Sequence, residues 1–408
     1  MEQTARENTE YRICVLGNFS GRNAGDNAIL GCLMDDIAAR YSNVRFVVPT
    51  FNPDYVRRHF SRHVVEPVSL LPWALSIKIF GLPVFRAVLS ADLVLVTDNL
   101  LFDMKLFNPL FNYLSTLSLC LPLAKRRGIP VVLYNMSLGP IRTPMGKRLF
   151  ERVIKSCKLI ILRDQQSKAL LDRLNIAHDR IEFGADCAIN ARPSPPERLQ
   201  TMIGENGLFR NPKGTFGFNI NAYLDAYIRG DETRLDMPQF TRLIGEAVDR
   251  LIEVTGMDAL FFVTQVMDMK VTAEAVSHVR QHERVKIISN KDYTYEDITA
   301  LLAEVEFLVA MRTHAIILAT SVYTPVVGII SYPKTAGYLS TIEQDRWTIK
   351  FEDLTCERLV ELALQVYEQR AQIQAAMKPA VQREKARARQ SADLLVPYLL
   401  GERAEAAR

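Results

Sequence analysis

The chain has 408 residues, 48% hydrophobic and 24% charged, which is ordinary globular composition and enough length for two or three domains. Its 50 basic and 46 acidic residues leave a net charge of +4, too even a balance for a nucleic-acid binder, so no nucleic-acid partner is expected. Six scattered cysteines (Cys14, Cys32, Cys120, Cys157, Cys187, Cys356) make no C-x-x-C pair, and "MEQTARENTE" has no apolar signal core; the expected location is cytoplasmic.

Along the chain, short β-rich apolar runs alternate with helical patterns. "YRICVLG" predicts a strand, then a helix from about Asn27 whose apolar stripe is Ile29, Leu30, Leu33, Met34 and Ile37. "VRFVVPT" follows as a strand. Leu70–Leu89, "LLPWALSIKIFGLPVFRAVL", is about as long as a bilayer span, but Pro72, Lys78, Gly81, Pro83 and Arg86 argue for a buried, broken helix. The alternative is an interfacial patch near a lipid-linked substrate, helped by the basic run "YVRRHFSRH" at Tyr55–His63. "ADLVLVTD", "IPVVLYNMS" and "KLIILRD" predict further strands, with helices between and after them. This is the βαβ rhythm of a parallel sheet covered on both faces.

The prolines of "NARPSPPERLQ" predict a linker, and the rhythm restarts at "TFGFNINAY". "DALFFVTQV", "VKIIS", "EFLVAM" and "TPVVGII" are the next strands, with helices at Met237–Thr255, Val271–Glu283 and Tyr295–Glu304. The expected organisation is an N-terminal Rossmann-like domain over 1–190, a linker over 191–213, a C-terminal Rossmann-like domain over 214–353, and C-terminal helices over 354–408. Two such α/β domains are expected to face a cleft.

In open parallel sheets ligands bind beyond the carboxyl ends of the strands, so the strand-to-helix junctions are where chemistry is sought. The first is "GRNAGDNAIL". There Gly25 permits close backbone approach and Asp26 reads as an N-cap or as a ligand-facing carboxylate. The second is "LIILRD". Arg163 is placed either to meet an anion or to form a salt bridge, and Asp164 to cap the next helix. The third, "EFLVAMRTHAIILAT", is the most informative. A buried strand ends in Arg312, Thr313 and His314 just where an apolar helix starts. Helix N–H groups, a guanidinium and an imidazole then suit a phosphate or carboxylate, and the imidazole can move a proton. At the fourth, "VGIISYPKTAGY", Lys334 is a second cation on that edge or a solvated loop lysine. No metal motif is present: "SHVRQHE", with His278 and His282, is not H-E-x-x-H. Neither a G-x-S-x-G elbow nor a Walker loop occurs.

Taken together, these positions resemble the polysaccharide pyruvyl transferase family. Its N-x-G-D-x-A-I turn is matched by Asn23, Gly25, Asp26, Ala28 and Ile29, its R-D-x-x-S junction by Arg163, Asp164 and Ser167, and its D-x-A segment by Asp186 and Ala188. Arg312 and His314 match an R-x-H element; Tyr332, Lys334 and Gly337 echo a Y-x-x-K-x-x-G element with one residue fewer; and "LGP" at Leu138–Pro140 also fits. The likeness runs from about Arg12 to Leu339. One departure stands out: where the family has a glycine-rich run, this chain has "TDNLLFD", with Asp98 and Asn99 in place of glycines and Asp103 in agreement.

The resemblance implies a GT-B-like fold and transfer of a pyruvyl group, as a ketal, from phosphoenolpyruvate to a sugar of a polysaccharide or its lipid-linked precursor. No cofactor is implied, and peripheral membrane contact is compatible with it. On this reading Arg163, Arg312 and Lys334 hold the donor anion and His314 is the acid. Asp26 is a base or acceptor clamp, and Asn23, Gly25, Asp98 and Asn99 are binding positions. A nucleotide-sugar glycosyltransferase and a non-catalytic glycan-binding relative are the competing readings.

Overall fold

The computed structural model describes residues 10–70, 82–106, 112–222 and 235–399. The apolar runs of the N-terminal half form the inner strands of a sheet, as β-branched runs between helices require, with less buried strands at its two edges. The strands are β1 (Tyr11–Leu16), β2 (Val44–Thr50), β3 (Val65–Ser69), β4 (Leu93–Val96), β5 (Val131–Met136), β6 (Leu159–Leu162) and β7 (Ile181–Phe183). They form one parallel sheet in the order β3-β2-β1-β4-β5-β6-β7, whose order reverses between β1 and β4. Helices α1 (Ala24–Ala38), α2 (Pro53–His59), α3 (Leu82–Leu89), α4 (Leu114–Arg126), α5 (Pro144–Ile154) and α6 (Gln165–Arg173) connect them.

The C-terminal half repeats the plan with six parallel strands in the order β10-β9-β8-β11-β12-β13. They are β8 (Thr215–Asn219), β9 (Asp258–Val263), β10 (Val285–Ser289), β11 (Leu308–Ala310), β12 (Val326–Ile330) and β13 (Thr348–Lys350). The helices of this half are α7 (Pro196–Asn206), α8 (Met237–Thr255), α9 (Met269–Ser277), α10 (Tyr295–Leu302), α11 (Thr313–Ser321), α12 (Pro333–Thr341) and α13 (Cys356–Glu368). The chain closes with α14 (Arg370–Gln390) and α15 (Val396–Leu399). Each sheet has its own apolar core, the first around Val94, Leu133 and Ile160, the second around Phe216, Phe261 and Val309.

The chain falls into two compact units that do not follow a single cut. The first holds Met1–Gly21, Ile29–Cys187 and Glu384–Arg408; the second holds Arg22–Ala28 and Ala188–Arg383. The tail therefore belongs to the first unit. Ser391 Oγ donates to Asn135 Oδ1 at 2.7 Å, Tyr41 donates its hydroxyl to the Ala392 carbonyl, and Arg40 pairs with Asp393. The turn at Arg22–Ala28 lies early in the chain yet is counted with the second unit.

Several local expectations change. The 191–213 segment is not a bare linker, because Pro196 opens α7 there and Gly207, left-handed at φ 61°, closes it. The helix expected over Val271–Glu283 stops at Ser277, so His278 and His282 share no helix. Of the apolar stretch Leu70–Leu89, residues 71–81 lie outside the described part, and the rest supplies Leu70 and α3. Among the described residues no helix is long and apolar enough to cross a membrane.

Candidate active site

The turn after β1 is built by its own side chains. Asn23 Oδ1 accepts the Gly25 N–H at 2.9 Å, and Asn23 Nδ2 donates to Asp26 Oδ1 at 2.8 Å. Helix α1 consequently starts at Ala24, not Asn27, and Asp26 lies in its first turn. This corrects the expectation that Asp26 is the N-cap: Asn23 takes the turn's free N–H, the competition for which short polar side chains are suited. Asp26 is buried and oriented by Asn23, so capping does not account for it.

The backbone of this turn is stitched to the end of β9. Ala24 N–H donates to the Thr264 carbonyl at 2.8 Å, Val266 N–H donates to the Arg22 carbonyl at 3.0 Å, and Asn23 and Gln265 form an antiparallel bridge. That places Gly25 against the imidazole of His314. A Cβ on residue 25 would lie 2.2 Å from His314 Cγ and 2.3 Å from its Nδ1, so only glycine lets the ring seat there. Asn23, Gly25, Asp26 and His314 therefore form one cluster within the second unit.

Two helix N-termini flank it. α11 and α12 follow the adjacent strands β11 and β12, and the hydroxyls of Thr313 and Thr335 share a hydrogen bond of 2.7 Å across their first turns. Lys334 sits in the first turn of α12, its Nζ 6.0 Å from the centre of the Tyr332 ring. Two positive helix ends, a lysine and an imidazole thus occupy one stretch of the carboxyl edge, an arrangement that favours an anion.

Arg312 is used differently from the expectation. Its guanidinium pairs with both oxygens of Asp268, which is fully buried, and Nη2 also reaches Asn221 Oδ1. Asp268 also accepts the Ala222 N–H, and Asn219 Oδ1 receives the Arg312 N–H. Asn219 Nδ2 in turn holds the Phe262 carbonyl. The arginine spans from β11 over β8 to the loop after β9, the loop that carries the Asn23–Gly25 turn. Sequence reasoning missed Asp268, although a carboxylate between β9 and α9 obeys the same strand-end rule that singled out the other junctions.

The remaining candidates lie on the first unit. Arg163 is nearly buried, and its Nη1 is 2.5 Å from Asp186 Oδ2. Burial opposes the guanidinium charge, but the carboxylates of Asp186, Asp98 and Asp164 outweigh it and hold Arg163 above its ordinary range. The R-D-x-x-S and D-x-A segments are thereby joined in space. Asp164 caps α6 by accepting the Ser167 N–H at 2.7 Å, and Ser167 Oγ accepts the Leu138 N–H at 2.8 Å, anchoring "LGP". Asp98 is buried at φ 67°, a left-handed backbone that glycine would adopt without cost, and its carbonyl accepts the Ser137 N–H. Asn99, next to it, is half-buried, with its Oδ1 shielded from solvent. Among the described residues no group of side chains is arranged to hold a metal ion.

A pair of parallel α/β units with polar groups gathered at the strand ends defines a GT-B-like protein. Solved structures of that shape match nearly the whole chain. HepE from Anabaena in complex with UDP-glucose is 16% identical with a TM-score of 0.59, over 97% of this chain and all of that one. The UDP-GlcNAc 2-epimerase from Neisseria meningitidis bound to UDP-GlcNAc is 13% identical with a TM-score of 0.61, over 96% and 99%. More specifically, the chain belongs to the polysaccharide pyruvyl transferase family, whose model matches residues 23–332. The amylovoran biosynthesis protein AmsJ of Erwinia amylovora is 22% identical over 367 residues, covering 81% of this chain and 86% of that one.

Proposed function

We propose that this chain transfers the pyruvyl group of phosphoenolpyruvate to two hydroxyls of a sugar, in a polysaccharide or its lipid-linked precursor, on the cytoplasmic side. The observation that carries the reading is the seat of His314 on Gly25, beside the N-termini of α11 and α12. The helix ends and Lys334 suit the phosphate and carboxylate of the donor. His314 protonates the methylene carbon of the enol, leaving an electrophilic carbon that the first sugar hydroxyl attacks. Asp26, held by Asn23, takes a hydroxyl proton. The second hydroxyl closes the ketal as the carbon–oxygen bond to phosphate breaks, its proton passing to the departing phosphate, and inorganic phosphate leaves. Fixed dipoles aimed at the leaving phosphate favour that charge separation without reorganising.

On this reading Arg312 and Arg163 act through their carboxylate partners, setting the strand-end loops rather than holding the anion alone. Asp98 and Asn99 are proposed to meet the acceptor, side chains reading sugar hydroxyls where a glycine run would present backbone.

Phosphate release from phosphoenolpyruvate, measured with candidate glycans, tests the proposal. His314→Ala should lower kcat by about 100-fold or more, the usual worth of a positioned acid. Full activity in that variant would remove His314 from the role. The GT-B-like fold is also that of the HepE structure with UDP-glucose, so the same assay run with UDP-sugars checks the glycosyltransferase reading; UDP release without need of phosphoenolpyruvate would support it.

A further inference from the structure

Helices α4 and α5 connect β4 to β5 and β5 to β6 and pack side by side in the first unit. Lys125 Nζ donates to the Lys155 carbonyl at 2.6 Å, tying their C-terminal ends together. Their inner faces, Leu117, Cys120, Leu121 and Ala124 on one and Phe150, Val153 and Ile154 on the other, are core. The outer faces follow helical spacing. α4 presents Leu119, Leu123 and Arg126, with Arg127 just beyond its end; α5 presents Met145, Arg148 and Arg152, with Lys155 just beyond. Leu119 is 48% exposed, Leu123 37% and Met145 45%, large apolar side chains left in water on these two helices.

The sequence that carries this face is strongly basic. From Leu123 to Lys158 the chain has nine basic residues and one acidic residue, Glu151, which pairs with Lys155. That is a larger positive excess than the +4 of the entire protein, so the rest of the chain is net acidic. In the basic run Tyr55–His63, by contrast, Arg57 pairs with Asp54, and Arg62 and His63 share Asp35.

We infer that the outer face of α4 and α5 docks on an anionic phospholipid surface. The basic side chains meet the headgroups, and Leu119, Leu123 and Met145 enter the boundary between headgroups and acyl chains. Charge alone would also attract a nucleic acid or an acidic polysaccharide. The half-exposed leucines and methionine decide for lipid, because a polyanion offers nothing to bury them. The inference does not depend on the reaction assigned to the protein.

The full chain is tested by flotation with vesicles of phosphatidylcholine alone and of phosphatidylcholine containing about one third phosphatidylglycerol. Binding is expected on the anionic vesicles only, falling steeply as salt rises from about 0.05 to about 0.3 M. Each basic residue near the surface is worth about fivefold, so Arg126→Glu/Arg127→Glu/Arg148→Glu/Arg152→Glu should weaken binding by well over tenfold. Leu119→Ser/Leu123→Ser, with the charge unchanged, should weaken it severalfold, while Arg57→Glu/Arg58→Glu should leave it intact. Circular dichroism and thermal unfolding verify that each variant folds. Equal binding to neutral vesicles, or an unaffected fourfold variant, overturns the inference. So does a leucine variant that floats like the unaltered chain while RNA or heparin binds as tightly as the vesicles, which would mark a polyanion site instead.

Discussion

Gly25 shows how much a single residue position decides. It has no need of an unusual backbone conformation; what it provides is space, because the His314 ring occupies the volume where a Cβ would stand. Gly25→Ala should therefore push the imidazole out of register at a cost of about 1 to 3 kcal/mol, because the clash reaches the His314 Cβ, which no rotamer moves. A displacement near 1 Å of a reacting group costs about 100-fold, so kcat for phosphate release should fall by that order while circular dichroism shows the fold retained. An alanine variant with unaltered kcat would detach the turn from the chemistry. The two arginines give the complementary lesson. Both look like anion receptors in the sequence, and both are matched to buried carboxylates, Asp268 and Asp186. Removing one member of such a pair leaves the other buried and uncompensated, at a cost of about 3 to 5 kcal/mol. Loss of activity on replacing either arginine is for this reason a weak guide to direct contact with the donor. Of the residues singled out by motif, His314 and Gly25 could be picked as candidates from strand-end location and residue type, and the structure brings the two together. Asp268 was not, because its role exists only through a partner 44 positions away.

The element scale is where composition reads most directly. Helix α5 begins at Thr143 and Pro144, a capping hydroxyl and a proline at the first helical position, and Thr143 Oγ1 accepts the Gly146 N–H at 2.9 Å. The sequence does not disclose that the loop before it is held from elsewhere. Asp103 Oδ2 accepts the N–H groups of Arg142 and Thr143 and the Thr143 hydroxyl, at 2.8, 2.6 and 2.8 Å. Asp103→Ala should expose or orphan these donors and cost about 2 to 3 kcal/mol, the range for a helix cap combined with hydrogen bonds to a charged acceptor. Urea unfolding followed by circular dichroism measures it, and a cost below about 0.5 kcal/mol would show the loop to be held by its packing alone. The central strands needed no such help to be recognised, whereas β3, β7 and β13, short and partly exposed, carry no such signal. β4 and β6 are unbroken apolar runs, β5 is one but for Asn135, all three are buried throughout, and a run of that kind between helical patterns is a parallel strand. Boundaries moved where side chains compete for the backbone, as Asn23 does at the start of α1.

At the scale of the whole molecule the chain is interleaved. Glu384–Arg408 returns to the first unit, and Asn135 is its receptor. Buried at φ 47°, this residue accepts the Ser391 hydroxyl and donates to Cys187 Sγ at 3.3 Å and the Ala388 carbonyl at 3.5 Å. Gly184 lies so near that a Cβ there would come 2.0 Å from Asn135 Oδ1. Asn135→Ala removes these partners and sets an alanine in a left-handed conformation that asparagine tolerates better. The expected result is a first unit weakened by about 2 to 3 kcal/mol and a C-terminal tail cleaved by protease well before the rest of the chain. Simultaneous digestion of tail and core at the unaltered rate would show the tail to be held elsewhere.

By itself the sequence determined the two parallel α/β sheets and the family, because apolar periodicity, helix signals and motif order are local properties carried by neighbouring residues. It also pointed to the strand ends where chemistry is to be sought, since in a parallel sheet every junction of one polarity falls on the same edge. Only the tertiary structure decided which of those ends belong together. Ala24–Asp26 open α1, whose later turns belong to the first unit, yet the Ala24 N–H is bonded to Thr264 after β9, and Arg312 reaches back to Asp268. The physical reason is that backbone bridges and buried ion pairs join residues far apart in the chain, and their partners are set by where the sheets put them, not by spacing.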